Sequence, residues 1–228
     1  MPLAADWTIY RNNAGMSAVI YTGANRLDGT GSLELRYATG GTQVNLVRTK
    51  DPRRFSSGRA RFLFGRSDSN NTGDNPGFAF MLSQENITGG AGTAYLVTMT
   101  RPGASLNPRL YRCSAGITTK SLLATGASLT LVAAPIAYPL EISWRLDVEN
   151  LGGMSIVVRR GAAANYSGVA LNWDTLLTTT EINYLDSSGF LTSTQGEGPA
   201  LEVGGTNTGG NYWDQLSVVP LLVGGITT

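Results

Sequence analysis

The chain has 228 residues, 29 of them glycine, with 14% charged and 42% hydrophobic, which suits one undivided all-β sandwich and excludes both a helical bundle and a disordered chain. Formal net charge is +1, but 14 basic and 7 acidic residues fall up to position 140 and 3 and 9 beyond it, a pattern unlike a uniformly basic nucleic-acid binder. Histidine is absent and Cys113 is the single cysteine, which excludes Ser-His-Asp and Cys-His catalysis, Cys/His zinc sites and an intrachain disulfide.

In chain order, strands are expected near Trp7 to Arg11 and Ala18 to Tyr21. Leu33, Leu35 and Tyr37 alternate with Ser32, Glu34 and Arg36, and a further strand is expected at Val44 to Arg48. Ala60, Phe62 and Phe64 then alternate with Arg59 and Arg61. Gly77 to Leu82 is apolar on both faces and reads as a central strand. Strands follow at Ala94 to Thr100, Arg109 to Cys113 and Leu129 to Val132. From Leu140 to Glu149, Leu140, Ile142, Trp144, Leu146 and Val148 point one way and Glu141, Ser143, Arg145, Asp147 and Glu149 the other, the latter read as an exposed row of alternating charge. Met154, Ile156 and Val158 repeat the pattern, with strands expected at Val169 to Trp173, Phe190 to Thr192, Leu201 to Gly204 and Tyr212 to Val219. One helical turn is expected around Trp173 to Leu177, capped by Asn172. Gly, Asn, Asp, Ser and Pro clusters separate the strands, and neither a repeat nor a linker divides residues 1–228.

So many antiparallel strands must hide their faces against one another, which makes an all-β, two-sheet jelly-roll sandwich. The opening ADWTIYRNN, the middle GFAFMLSQ, the hairpin YPLEISWRLDVENLGGMSIVVRRG and the closing GGNYWDQLSV resemble the concanavalin A-like, laminin G-like family. The resemblance implies that the first and last strands pair, setting Trp7 to Arg11 beside Tyr212 to Val219. It leaves function open among lectins, glycanases, adhesion modules and virion proteins.

Glycanases of this fold carry carboxylates on one strand in a Glu-x-Asp pattern. Here the residue two before Asp147 is Arg145, so Asp147 and Glu149 lack the first carboxylate and no glycan hydrolysis is expected. The loop from Asp68 to Asn75 offers Asp68, Asn70 and Asp74 as oxygen ligands for calcium, the one cofactor considered, although a plain polar turn explains the same residues. Arg48, Arg53, Arg54, Arg59 and Arg61 belong to a basic run expected to meet an acidic protein surface. Trp173, Tyr212 and Trp213 are candidates for a sugar-stacking platform. Cys113 is expected to be a small buried residue. The apolar tail at 220–228, with Leu221, Leu222, Val223 and Ile226, is expected to bury against a neighbouring subunit.

Only Lys50 and Lys120 among the 17 basic residues are lysine, and arginine enrichment with lysine depletion marks protein interfaces. The opening residues form no export signal and no apolar run is long enough to span a membrane. This profile resembles tailed-phage virion proteins. The expectation is a non-enzymatic structural protein on the particle exterior, a head decoration or a tail or fibre component, made in the host cytoplasm. Its partners would be other virion subunits in a homo-oligomer, with neither nucleic acid nor membrane. The alternative is a carbohydrate-binding, lectin-like module that engages a host-surface glycan; a glycan hydrolase ranks third.

Overall fold

The computed structural model describes residues 7–11, 16–24, 26–29, 31–37, 43–49, 56–66, 76–83, 91–100, 105–130, 132–147, 149, 151–192, 199–205 and 210–221. The described strands form two antiparallel sheets. The first runs β14 (Thr179–Asp186), β12 (Gly153–Arg160), β11 (Ile136–Asp147), β5 (Gly58–Arg66), β16 (Asn211–Pro220), β3 (Ser32–Tyr37) and β2 (Met16–Tyr21), with β13 (Ala164–Asn165) beside β11. The second runs β1 (Trp7–Arg11), β4 (Gln43–Thr49), β15 (Ala200–Gly205), β6 (Gly77–Phe80), β7 (Ala94–Thr100), β8 (Ser105–Ala115) and β10 (Leu129–Thr130), with β9 (Thr119–Thr125) on β8.

The sheets are held face to face by the residues that the alternation points inward. On β11, Leu140 pairs with Phe62 of β5 and with Arg160 of β12, and Ile142 pairs with Ala60 and Val158. From the opposite sheet Phe78 and Phe80 meet Trp144, with ring centroids 6.2 and 4.7 Å away. Trp144 is 2% exposed. Each large apolar side chain removed from water in this way contributes roughly 1.5 to 3 kcal/mol. Cys113 is fully buried on the outer side of the second sheet, among Ala94, Leu96 and Ile117.

Several expectations are corrected. The end strands do not pair: β1 pairs with β4 in the second sheet, while β16 lies between β5 and β3 in the first. There Trp213 packs on Phe64 in the core at 5.7 Å. Residues 169–172 are irregular and lead into α1 (Trp173–Leu176). Residues 190–192 are irregular too, because the Leu191 amide donates to the Tyr95 hydroxyl (3.2 Å) instead of to a strand. Three strands went unread, the two-residue β13 and the longer β9 and β14. β9 sits at an edge with no buried residue, and β14 carries the exposed Leu185 on its polar side, so neither alternates cleanly. The sequence's opposite charges meet within the sandwich, as in Arg61 with Glu141 and Arg112 with Asp186.

Candidate functional site

The outer face of the first sheet is divided in two. Over one half lies a second small core, in which Leu63, Ala137 and Tyr212 of the strands are overlain by Leu27, Ala134 and Tyr166. Glycine permits this close cover. A Cβ at Gly65 would press into Leu27, and one at Gly161 would collide with the Leu176 carbonyl oxygen and Pro139. The single turn α1 ends the covered half; the Asn172 side chain caps it by accepting from the Asp174 amide (3.2 Å), as expected from the sequence.

The other half of the face is open and lined by arginine. Strand register, which no single strand encodes, places Glu141 of β11 between Arg61 of β5 and Arg159 of β12. Arg61 Nε donates to Glu141 Oε2 at 2.7 Å, with Arg159 Nη1 at 3.7 Å and Arg59 Nε at 3.9 Å from the same carboxylate. Arg61 Nη2 also donates to Asp174 of α1 (2.9 Å), and Arg159 Nη2 to the Leu177 carbonyl (2.7 Å). Burial by itself would lower the Arg61 guanidinium, but its hydrogen bonds to Glu141 and Asp174 outweigh that and raise it above its usual value. One row further, Ser143 lies between Arg59 and Val157; beyond it Arg145 pairs with Ser155 across the strands and bonds Asp147.

The row on β11 is therefore not the exposed charge ladder that the alternation suggests. Glu141 is 5% and Asp147 6% exposed, each beneath arginine side chains that keep their outer ends in water. Arg59, Arg145 and Arg159 remain 34%, 45% and 38% exposed. The arrangement presents guanidinium donors and serine hydroxyls over a sunken carboxylate.

Of the residues singled out from sequence, this face unites Arg59 and Arg61, with Trp173 at its margin. Arg48 lies on β4 in the other sheet, which corrects the reading of the basic run as one patch. Arg53, Arg54, Asp68, Asn70, Asp74, Leu222, Val223 and Ile226 lie outside the described residues. Leu221 is partly buried and its amide donates to the Ser57 carbonyl (3.0 Å), continuing the pairing of Pro220 with Gly58. Tyr212 and Trp213 are corrected as stacking candidates: each is 2% exposed, with its ring inside a core. Trp173 is half-buried against the covered half. The residues missed were Glu141, Arg145 and Arg159; their alternate spacing is visible in each strand, but their alignment is not.

Among the described residues no group of three or more His, Cys, Asp or Glu side chains could hold a metal ion. Asp28 and Asp214 lie close together, but their oxygens are taken by protein donors. Asp28 accepts from the Gly29 and Gly168 amides and from Gln215, and Asp214 from Ser32 and the Asp28 and Gln215 amides. This pair does not fit a cation. It clips two loops onto β16 at the bulge where Gln215 has φ 52°. An interior crevice between the sheets, lined by Phe62, Phe78, Val97, Met99, Leu140 and Trp213, has no charged side chain to orient a ligand.

No protein-family model and no curated protein matches the chain. Solved structures do. The legume lectin-like domain from Entamoeba histolytica aligns with a TM-score of 0.53 over 95% of this chain and 90% of that one, at 7% identity. The exoplasmic/lumenal domain of VIP36, bound to Ca2+ and Man3GlcNAc, aligns at 0.54 over 97% and 88%, with 9% identity. The fold is concanavalin A-like. The same likeness extends to the PL-14 alginate lyase from Aplysia kurodai, at 0.53 over 93% and 90% with 8% identity, so the jelly roll is shared by binding proteins and an enzyme. At these identities the likeness is one of fold, and function rests on the site.

Proposed function

We propose that the protein is a non-enzymatic carbohydrate-binding module whose ligand lies on the open half of the first sheet's outer face. The observation that carries this reading is the face itself. It is an open sheet surface with guanidinium and hydroxyl donors held in register by a buried carboxylate, beside a capped turn. Such fixed polar groups suit a ligand rich in hydroxyls. The lectin-like fold is consistent with it.

Binding without cleavage is favoured by the placing of the carboxylates. A retaining glycosidase needs two carboxyls about 5 Å apart and free to act as acid and nucleophile. Asp147 stands six residues from Glu141, about 20 Å along an extended strand, and Asp174, which does lie near Glu141, shares the Arg61 guanidinium with it, so that both are ion-paired. The described residues of the open half include no tyrosine or lysine to abstract a proton.

A glycan array probed with the full chain and with Ser143→Tyr, which blocks the centre of the face, tests the reading. Signal lost on Ser143→Tyr with an unchanged melting curve supports it. Signal retained by the variant places the site elsewhere, and an array blank for the wild type refutes carbohydrate binding.

The second reading is a structural component of a phage particle exterior that assembles through this protein's own copies. The arginine excess favours it. Truncation after Leu221 leaves β16 whole. If residues 222–228 mediate assembly, sedimentation of the truncated chain shows a smaller species than the full one; equal sizes count against that role.

A further inference from the structure

We infer that the ligand of this face is an acidic glycan, one whose sugar residues carry carboxylates, and that Arg59 is its main grip; this rests on the carbohydrate-binding reading above. A guanidinium has five N–H donors in a planar fork. Arg59, Arg61 and Arg159 together make three hydrogen bonds among the described residues, two from Arg61 and one from Arg159. Arg59 makes none. Its Nε is shielded and lies 3.9 Å from Glu141, too long for a hydrogen bond, while the side chain is 34% exposed and its two outer nitrogens have no acceptor among the described residues. Those outer nitrogens are the donors that a ligand oxygen can reach.

Charge points the same way. Three guanidiniums surround Glu141, and among the described residues Asp174 is the one further carboxylate paired to them. A ligand carboxylate balances the remaining cation and fits the Arg fork through two parallel hydrogen bonds. Ser143 beside Arg59 and the exposed Ser217 beside Arg61 offer hydroxyls to the rest of the sugar. Neighbouring strands stand about 4.8 Å apart and alternate residues on a strand about 6.8 Å apart. These spacings are on the scale of one sugar ring, so a carboxylate held at Arg59 leaves the neighbouring sugars over Ser143 and Ser217. A neutral glycan or a nucleic acid would call for exposed aromatic rings, and the described residues of the open half include none.

The test is calorimetric titration of the full chain. The probes are tetramers of galacturonate, mannuronate and guluronate, their methyl esters, neutral maltotetraose and mannotetraose, polyglutamate, and a single-stranded oligonucleotide. The expected result is binding of at least one uronate. Methyl esterification or Arg59→Gln should weaken it roughly tenfold, as for the loss of one charge-assisted hydrogen bond, while Arg26→Gln, remote from the face, leaves it unchanged. Should Arg59→Gln disturb folding, Arg59→Lys and the methyl esters carry the same test. Neutral tetramers bound as tightly as the uronates, or uronate binding indifferent to both Arg59 variants, overturn the acidic assignment and leave carbohydrate binding standing. Tighter binding of polyglutamate or the oligonucleotide assigns the face to another class of partner. If no sugar binds, the carbohydrate reading itself falls.

Discussion

Two sunken carboxylates, Asp186 and Glu141, sit under arginine at different places in the first sheet, and the number of arginines distinguishes them. Asp186 of β14 is 2% exposed and accepts from the Tyr95 hydroxyl of β7 (2.7 Å) and from Arg112 Nη1 of β8 (2.9 Å). Arg112 also donates to the Ser188 carbonyl, and the Leu191 amide to the Tyr95 hydroxyl. One guanidinium meets one carboxylate, and the group ties the two sheets together at their edge. Burial, reinforced by the hydrogen bond to Asp186, pushes the Tyr95 phenol well above its usual range and keeps it a donor. Around Glu141 three guanidiniums share one buried carboxylate, and donors remain for a ligand. The same chemistry serves as a rivet where it is matched and as a receptor where cations are in excess.

The largest effect should come from breaking the rivet. Asp186→Ala leaves the Tyr95 hydroxyl without its acceptor and Arg112 without its carboxylate partner, and should cost about 3 to 5 kcal/mol, read as a lower urea midpoint. Replacing the pair together, Asp186→Leu with Arg112→Met, should recover most of that loss, because buried ion pairs exchange for apolar packing at little net cost. A double variant as unstable as Asp186→Ala would show that the group does more than hold the sheets.

Glu141→Gln probes the other side of the comparison. The arginines above it reach water, so the loss of stability should be smaller, about 1 to 3 kcal/mol. Any glycan affinity should fall as well, since the guanidiniums lose the carboxylate that positions them. Unchanged affinity would mean that the arginines are positioned without Glu141.

A subtler pair of effects concerns pH at the clip formed by Asp28 and Asp214. Burial alone would raise the Asp28 carboxyl, but hydrogen bonds from Gly168, Gln215 and Gly29 outweigh it and hold the group below 3.8. Its contribution is therefore present above that value and lost as pH falls below it. Asp214 is raised above 3.8, first by burial and last by the neighbouring Asp28 charge, despite hydrogen bonds from Ser32, Gln215 and Asp28. Its contribution is present at low pH and lost as pH rises above 3.8. Denaturation curves from pH 2 to 6 should show Asp28→Asn flattening the acid-side loss and Asp214→Asn flattening the loss on the other side. Identical profiles for both variants would contradict the opposed signs.

The smallest expected effect is calcium's. Melting curves in calcium and then in chelator should coincide if the loop from Asp68 to Asn75 is a polar turn. A stabilisation abolished by Asp74→Ala would instead assign the ion to that loop.

Much of the fold was legible because alternation is local. Leu140, Ile142 and Trp144 point inward because a strand's side chains alternate, and their pattern survives in any sheet that buries one face. Where a face is exposed at an edge, as on β9, no contrast remains to read. The candidate site was legible only in pieces. Arg59 and Arg61 stood out as a pair, but Tyr212 and Trp213, which read as surface rings, lie inside two different cores. A ring near a chain end has the same sequence signature whether a loop covers it or not, and only the packing of Leu27, Ala134 and Tyr166 covers Tyr212.

The sequence by itself determined that this chain is a sandwich of antiparallel strands with arginine as its dominant cation, because alternation, glycine-rich turns and composition are properties of neighbours along the chain. Only the tertiary structure decided which charges meet. Glu141 stands 80 residues from Arg61 and Asp186 stands 74 from Arg112. Contacts at such separations are set by strand order and register, and a slip of one residue would turn Glu141 into the core and its arginines away from one another.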